Sequence, residues 1–206
     1  AVTIGEKFAT LTTRYRIQNV AWGGKSTLTD WAGNQQWILT PDRLVGVLEI
    51  EPLSNQEAYS IHGRIRFGLN KSIEQKGAAL FQYGALTCRL HEHNYADVVT
   101  EKSETFYLDK PEKFRSMEIV LRDKASIETD EQKPLTYAKG ERQFFTVEVS
   151  PEWCAPADSV RRIATSEGLR GLEVRAGGHW LLLMHNTTDA PIAMDTVLPW
   201  AEGPLL

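Results

Sequence analysis

Tyr59-Ser60-Ile61-His62-Gly63-Arg64-Ile65-Arg66-Phe67-Gly68-Leu69-Asn70 is the stretch on which the fold class turns. Tyr59, Ile61, Ile65, Phe67 and Leu69 fall on one parity, with Gly63 the one gap. Ser60, His62, Arg64, Arg66 and Asn70 fall on the other. A period of two over this length is a strand with one apolar and one polar face. Polar side chains at every second place argue against burial on both sides, which favours an antiparallel sandwich over a parallel sheet.

Other segments carry the same signal. Ser116–Arg122 alternates through Met117, Ile119 and Leu121, and Arg142–Ser150 sets Phe145, Val147 and Val149 opposite Thr146 and Glu148. Arg43–Ile50 is apolar on both parities at its centre, as expected of a strand covered on both sides. Arg14–Trp22, Gln36–Leu39 and Ala79–Leu90 also read as strands, the last with a bend at Gly84. Gly177-Gly178 joins Leu169–Arg175 to His179–Asn186 as a two-residue hairpin. Gly23–Ser26, Trp31–Gly33, Lys71–Gly77 and Asp123–Gly140 read as turns or loops. Asp158–Ser166 reads as one short helix, with Asp158 as its N-cap and Gly168 past its end. About eight major strands at irregular spacing, without a repeat, predict an all-β, eight-stranded antiparallel jelly-roll β-sandwich with short helices in its loops. One domain spans 1–206, with extended arms over about 1–13 and about 195–206.

Composition sets the outer bounds. Of 206 residues 42% are hydrophobic, enough for a real core, and the formal net charge is −4. That balance argues against a protein whose main affinity comes from a broad basic surface on nucleic acid, while leaving room for a small local basic patch. Cys88 and Cys154, the only cysteines, do not make a disulfide framework and are expected as free thiols. The longest apolar run, Trp180–Met184, is strand-sized and far short of the ~20 residues of a membrane span. No signal peptide is visible, and the sequence starts at Ala1 without an initiator Met, as a processed product or a trimmed chain would.

No catalytic constellation emerges. There is no Gly-x-Ser-x-Gly, and none of His62, His91, His93, His179 and His185 sits in a nucleophile–base pattern. His91 and His93 share a strand face, but Cys88 points to the other, so they read as a strand end rather than a metal site. Gly23-Gly24-Lys25-Ser26 lacks the earlier glycine of a phosphate loop and reads as a turn. Gln35-Gln36-Trp37 matches the Gln-x-Trp of a ricin-type trefoil lectin only once, where such a fold needs three copies. No catalytic residue, cofactor or metal is assigned, and no enzymatic activity is expected.

Three segments carry a resemblance. Phe145-Thr146-Val147-Glu148-Val149-Ser150-Pro151 is similar to the Val-Glu-Val-Pro-Tyr strand and turn of picorna-like virus capsid proteins. Their aromatic strand with Arg-Gly-x-x-Arg-Tyr resembles Ala58-Tyr59 through His62-Gly63-Arg64-Ile65-Arg66-Phe67. Gly5-Glu6-Lys7 with Leu11 and Arg14 is similar to a Gly-Glu-x…Leu-Arg…Arg segment of the same viruses (dicistro-, ifla-, marna- and secovirus-like). The resemblance implies a structural jelly-roll subunit of an icosahedral virion, assembled in the host cytoplasm beside similar coat proteins around genomic RNA. Its outer loops would meet a host receptor, and Ala1 would be a protease-generated terminus. Lys7, Arg14, Arg16 and Lys25 would face RNA phosphates without reading bases. Leu198, Pro199, Trp200, Leu205 and Leu206 would dock on neighbouring subunits. The alternative is a carbohydrate-binding, lectin-like β-domain.

Overall fold

A computed structural model of the chain describes residues 1–20, 26–58, 61–68, 71–107, 110–124, 134–164 and 168–192. Among them are sixteen strands and no helix. In chain order they are β1 (Val2–Ile4), β2 (Ala9–Val20), β3 (Ser26–Leu39), β4 (Leu44–Pro52), β5 (Gln56–Ala58), β6 (His62–Phe67), β7 (Ile73–Gly77) and β8 (Leu80–Tyr83). There follow β9 (Leu86–His93), β10 (Asp97–Tyr107), β11 (Lys110–Arg122), β12 (Leu135–Tyr137), β13 (Gln143–Pro151), β14 (Ser159–Ala164), β15 (Leu169–Ala176) and β16 (His179–Asn186).

Eight of these form one antiparallel sheet in the order β1-β2-β3-β4-β13-β9-β8-β7. A three-stranded sheet, β10-β11-β6, covers one face of it, and a second, β14-β15-β16, covers the other. On the first side Phe81, Leu90, Phe145 and Val147 of the large sheet pack with Ile119 and Leu121 of β11. On the second, Ile38, Val45 and Val47 meet Val160, Leu172 and Val174. The architecture is therefore a β-sandwich whose large sheet serves two cores. This explains β4: Leu48 and Ile50 point to one core, Val45 and Val47 to the other, so both of its parities must be apolar.

The alternating strand His62–Phe67 lies at the edge of its sheet, paired with β11 from Met117↔Phe67 to Arg122↔His62. Its gap has a packing reason. A methyl group added at Gly63 would sit 2.9 Å from the Phe145 ring, so the glycine is what lets that ring into the core. On the polar parity Arg64 and Arg66 each reach the fully buried Glu118 at 2.7 Å. Tyr59, Ser60, Leu69 and Asn70 lie outside the described residues.

The seam under β14-β15-β16 is partly ionic. Glu49 of β4, 4% exposed, holds Arg170 of β15 at 2.8 Å and Arg162 of β14 at 3.0 Å. The Arg162 guanidinium lies 3.7 Å from the centroid of the Phe144 ring. Two partners for one buried carboxylate meet the condition under which such a charge is tolerated inside a protein.

Several expectations change. The described part of Asp158–Ser166 is not helical: Ser159–Ala164 is β14, and the Asp158 N–H bonds Arg175 O at 2.7 Å instead of opening a turn. Pairing with β15 and burial of Val160 outweigh the local cap signal. Trp31–Gly33 is strand, with Trp31 buried edge-on against Tyr137 at 5.4 Å. Ile73–Gly77 is an edge strand whose polar residues face solvent. Gly84, at φ +62°, does not bend one strand but turns β8 back into β9. Residues 1–13, expected as an arm, enter the large sheet as β1 and the start of β2. Within Asp123–Gly140, Leu135–Tyr137 forms β12 and Tyr137 is buried, its hydroxyl donating to Asp123. Strand winding also differs from a jelly roll, which alternates successive strands between two sheets; here β1 to β4 are consecutive neighbours in one. Residues 195–206 and most of the Gly23–Ser26 turn lie outside the described residues.

Candidate functional site: a cleft at the mouth of the second core

Where the large sheet and the β14-β15-β16 sheet part company, a cleft of about 440 Å³ opens. Its floor is the end of the second core, Ile38 and Val45 on one side and Val174 and Leu181 on the other. Phe8 and Trp180 wall it, 40% and 43% exposed. Lys7, Thr40, Asp42 and His179 give it a polar rim.

Local sequence builds each wall. Gly177 and Gly178 carry φ of +55° and +78°, the left-handed pair that a tight two-residue hairpin demands. That turn places His179 and Trp180 at the start of the edge strand β16. The opposite wall is the β3–β4 turn, where Thr40 N–H donates to Arg43 O at 2.9 Å and Thr40 Oγ1 to Asp42 Oδ1 at 2.6 Å.

Behind the rim runs a fixed line of charge. Arg43 donates to Asp42 Oδ2 at 2.8 Å and to Glu148 Oε1 at 2.8 Å, and its side chain is 9% exposed. Glu148 in turn meets His91 Nε2 at 3.0 Å and accepts the Ala157 N–H at 3.0 Å. The hydrogen bond from Arg43, then that from Thr40, holds the Asp42 carboxyl far below its ordinary range. Burial pushes Glu148 up, but the bonds from His91 and the Ala157 N–H and the charges of His91 and Arg43 outweigh it, leaving a net depression. Asp42 at the rim is thus a permanent acceptor at neutral pH and no proton donor. Lys7 and His179 have no ion-pair or hydrogen-bond partner among the described residues, so their polar ends are available to a ligand. Fixed acceptors, free donors and two aromatic walls over an apolar floor suit binding of a molecule with both apolar and hydroxyl-bearing faces.

On the outer side of the β15–β16 hairpin lies a second hollow of about 370 Å³, sharing His179 and Trp180 with the first and adding Asp158, Arg175 and Gly178. Arg175 sits 4.9 Å over one face of the Trp180 ring and pairs with the buried Glu173 at 3.1 Å.

The residues singled out from sequence scatter. Lys7 is at the cleft rim. Arg14 donates to Thr187 O beside a different, water-sized hollow. Arg16 pairs with Asp30 at 3.1 Å. Lys25, Leu198, Pro199, Trp200, Leu205 and Leu206 lie outside the described residues. Trp37 of the single Gln-x-Trp lies over Gly46, where an added methyl would stand 2.2 Å from the ring, and packs on the first core. Cys88 and Cys154 are both free, and burial pushes the Cys88 thiol up to about 12. Sequence reading missed Phe8, Asp42, His179 and Trp180; the one available signal was a His-Trp pair directly after a Gly-Gly turn.

No protein-family model matches the chain, and no curated protein does. Among solved structures, it is similar to heparinase III, the BT4657 gene product with methylated lysines. The two share 10% identity with a TM-score of 0.54, over 90% of this chain and 27% of that one. A heparan sulfate lyase HepC mutant from Pedobacter heparinus matches at 10% identity with a TM-score of 0.45, over 93% of this chain and 28% of that one. The chain spans about a quarter of the length of these structures, and the first likeness speaks for the fold alone.

Proposed function

We propose that this chain is a carbohydrate-binding, lectin-like β-domain. One observation carries this: the half-exposed Trp180 at the lip of a 440 Å³ cleft that combines an apolar floor with Lys7, Thr40, Asp42 and His179. A pyranose ring presents a face of C–H groups, slightly positive, that stacks on the negative face of an indole. Its hydroxyls need donors and acceptors at the edge, and the rim supplies both. The volume lies within the ~300–1,000 Å³ range of small-molecule sites. Likeness of fold to a structure titled heparinase III directs the choice of probes.

Trp180→Ala tests the proposal. Calorimetric titration with heparan sulfate fragments and with cello-oligosaccharides should show binding by the wild type to one of the two. The variant should lose at least tenfold in affinity while still unfolding in one cooperative urea transition. Unchanged affinity in the variant would sink the proposal.

A structural subunit of a picorna-like virion is the second reading, favoured by a different observation. Val2, Ile4, Leu11 and Leu39, 67%, 81%, 38% and 51% exposed, stand together on one face of the large sheet through the pairs Val2↔Leu11, Ile4↔Ala9 and Ala9↔Leu39. An apolar strip of this kind suits contact with another protein. In this reading Lys7, Arg14, Arg16 and Lys25 turn to RNA, and Leu198, Pro199, Trp200, Leu205 and Leu206 to sister subunits. It predicts association at micromolar concentration in sedimentation velocity and icosahedral particles in the native source; a monomer in both settings ends it.

A further inference from the structure

We infer that the cleft is one half of a two-part site, and that its ligand is the interior of a polysaccharide chain rather than a single terminal sugar. The inference rests on the carbohydrate reading above and adds the length of the ligand. The two hollows, of about 440 and 370 Å³, are separate spaces, yet both are lined by His179 and Trp180. A ligand that fills one therefore ends against the two side chains that begin the other.

The chemistry of the two halves differs. The inner half offers an apolar floor, the Phe8 ring and the Lys7 ammonium. The outer half has no aliphatic floor: it offers the Asp158 carboxylate and the Arg175 guanidinium, which is held in place by Glu173 and by the Trp180 ring. An inner sugar is held by stacking and an outer sugar by paired hydrogen bonds across its hydroxyls. The outer hollow is open to solvent, so a chain leaving the inner half over the Gly177-Gly178 tip meets no wall among the described residues. A site closed around a chain end would need one.

Fragments of two, four and six sugars, from heparan sulfate and from cellulose, are titrated against the wild type, Asp158→Ala and Arg175→Lys. Arg175→Lys keeps a cation for the buried Glu173, and Asp158 is exposed, so both variants retain the fold. The expected result is a wild-type tetrasaccharide affinity at least tenfold above that of the disaccharide, with little gain from four to six sugars. In either variant that advantage should fall below threefold. Equal affinity for two and four sugars, or a tenfold advantage that survives both substitutions, overturns the two-part site but leaves the carbohydrate reading standing. No binding by any fragment of either series overturns both.

Discussion

At residue scale the closest test of the packing is Gly63. A valine there pushes two methyl groups into the Phe145 ring, whose nearest atom already stands 2.9 Å from where a Cβ would fall. Overpacking of this type costs about 1–3 kcal/mol. Urea denaturation of Gly63→Val should show that loss, and a second change, Phe145→Leu, should return part of it by vacating the space. If the double variant is no more stable than the additive sum, the ring is not what the glycine accommodates. Trp180 shows how legibility fails at this scale. The Gly177-Gly178 hairpin signal put the residue on a strand, correctly, but whether a strand end is covered depends on which other element arrives there. Arg175, which lies over its ring, is its cross-strand partner, while the Phe8 wall comes from the far end of the chain.

At element scale β13 is the instructive strand. Its apolar parity was plain in the sequence, and Phe145 and Val147 are core as expected. Its polar parity reads as solvent-facing, yet Thr146, Glu148 and Ser150 are all buried, at 0%, 1% and 5% exposure. Glu148 survives there because Arg43 and His91, 105 and 57 residues away in sequence, bring it partners. Ion pairing over such separations leaves no mark on a hydrophobic period, whereas the doubly apolar centre of β4 did announce cover on both faces. The depressed Glu148 carboxyl has a pH consequence. Its folded value lies below its unfolded one, so its stabilisation is fully present above the ordinary glutamate range and is lost as pH falls through the folded value. Glu148→Gln should lower stability at neutral pH by about 3 kcal/mol, since Arg43 and His91 lose a buried partner. It should also flatten the acid limb of stability against pH. An acid limb as steep as that of the wild type in urea melts would show that Glu148 does not set it.

For the whole molecule, the sharing of one sheet by two cores governs cooperativity. Phe145→Ala empties part of the first core and Leu172→Ala part of the second, each from a nearly or fully buried site, with expected losses of about 3–5 and 2–5 kcal/mol. Because β3 and β4 belong to both cores, each loss should appear as a shift of one common unfolding transition seen alike by tryptophan fluorescence and far-ultraviolet dichroism. Two separated transitions in Leu172→Ala would mean that the β14-β15-β16 layer melts independently. The sandwich class was legible because period-two alternation is a local property. The layer count was not, because which sheet a strand joins is decided by pairings such as β13 with β4, nearly a hundred residues apart.

The Glu49–Arg162–Arg170 seam has a last effect, on alignment. Two greasy surfaces can slip past each other by a strand repeat and lose little, since one valine replaces another. A slip of two residues, ~7 Å along β15, would carry Arg170 out of reach and strand a carboxylate that is 4% exposed, at a cost of several kcal/mol. The small sheet is thereby indexed on the large one like a key with a single notch. The hairpin tip that bears Trp180 inherits its position over the cleft from that notch, some distance from the residues that set it.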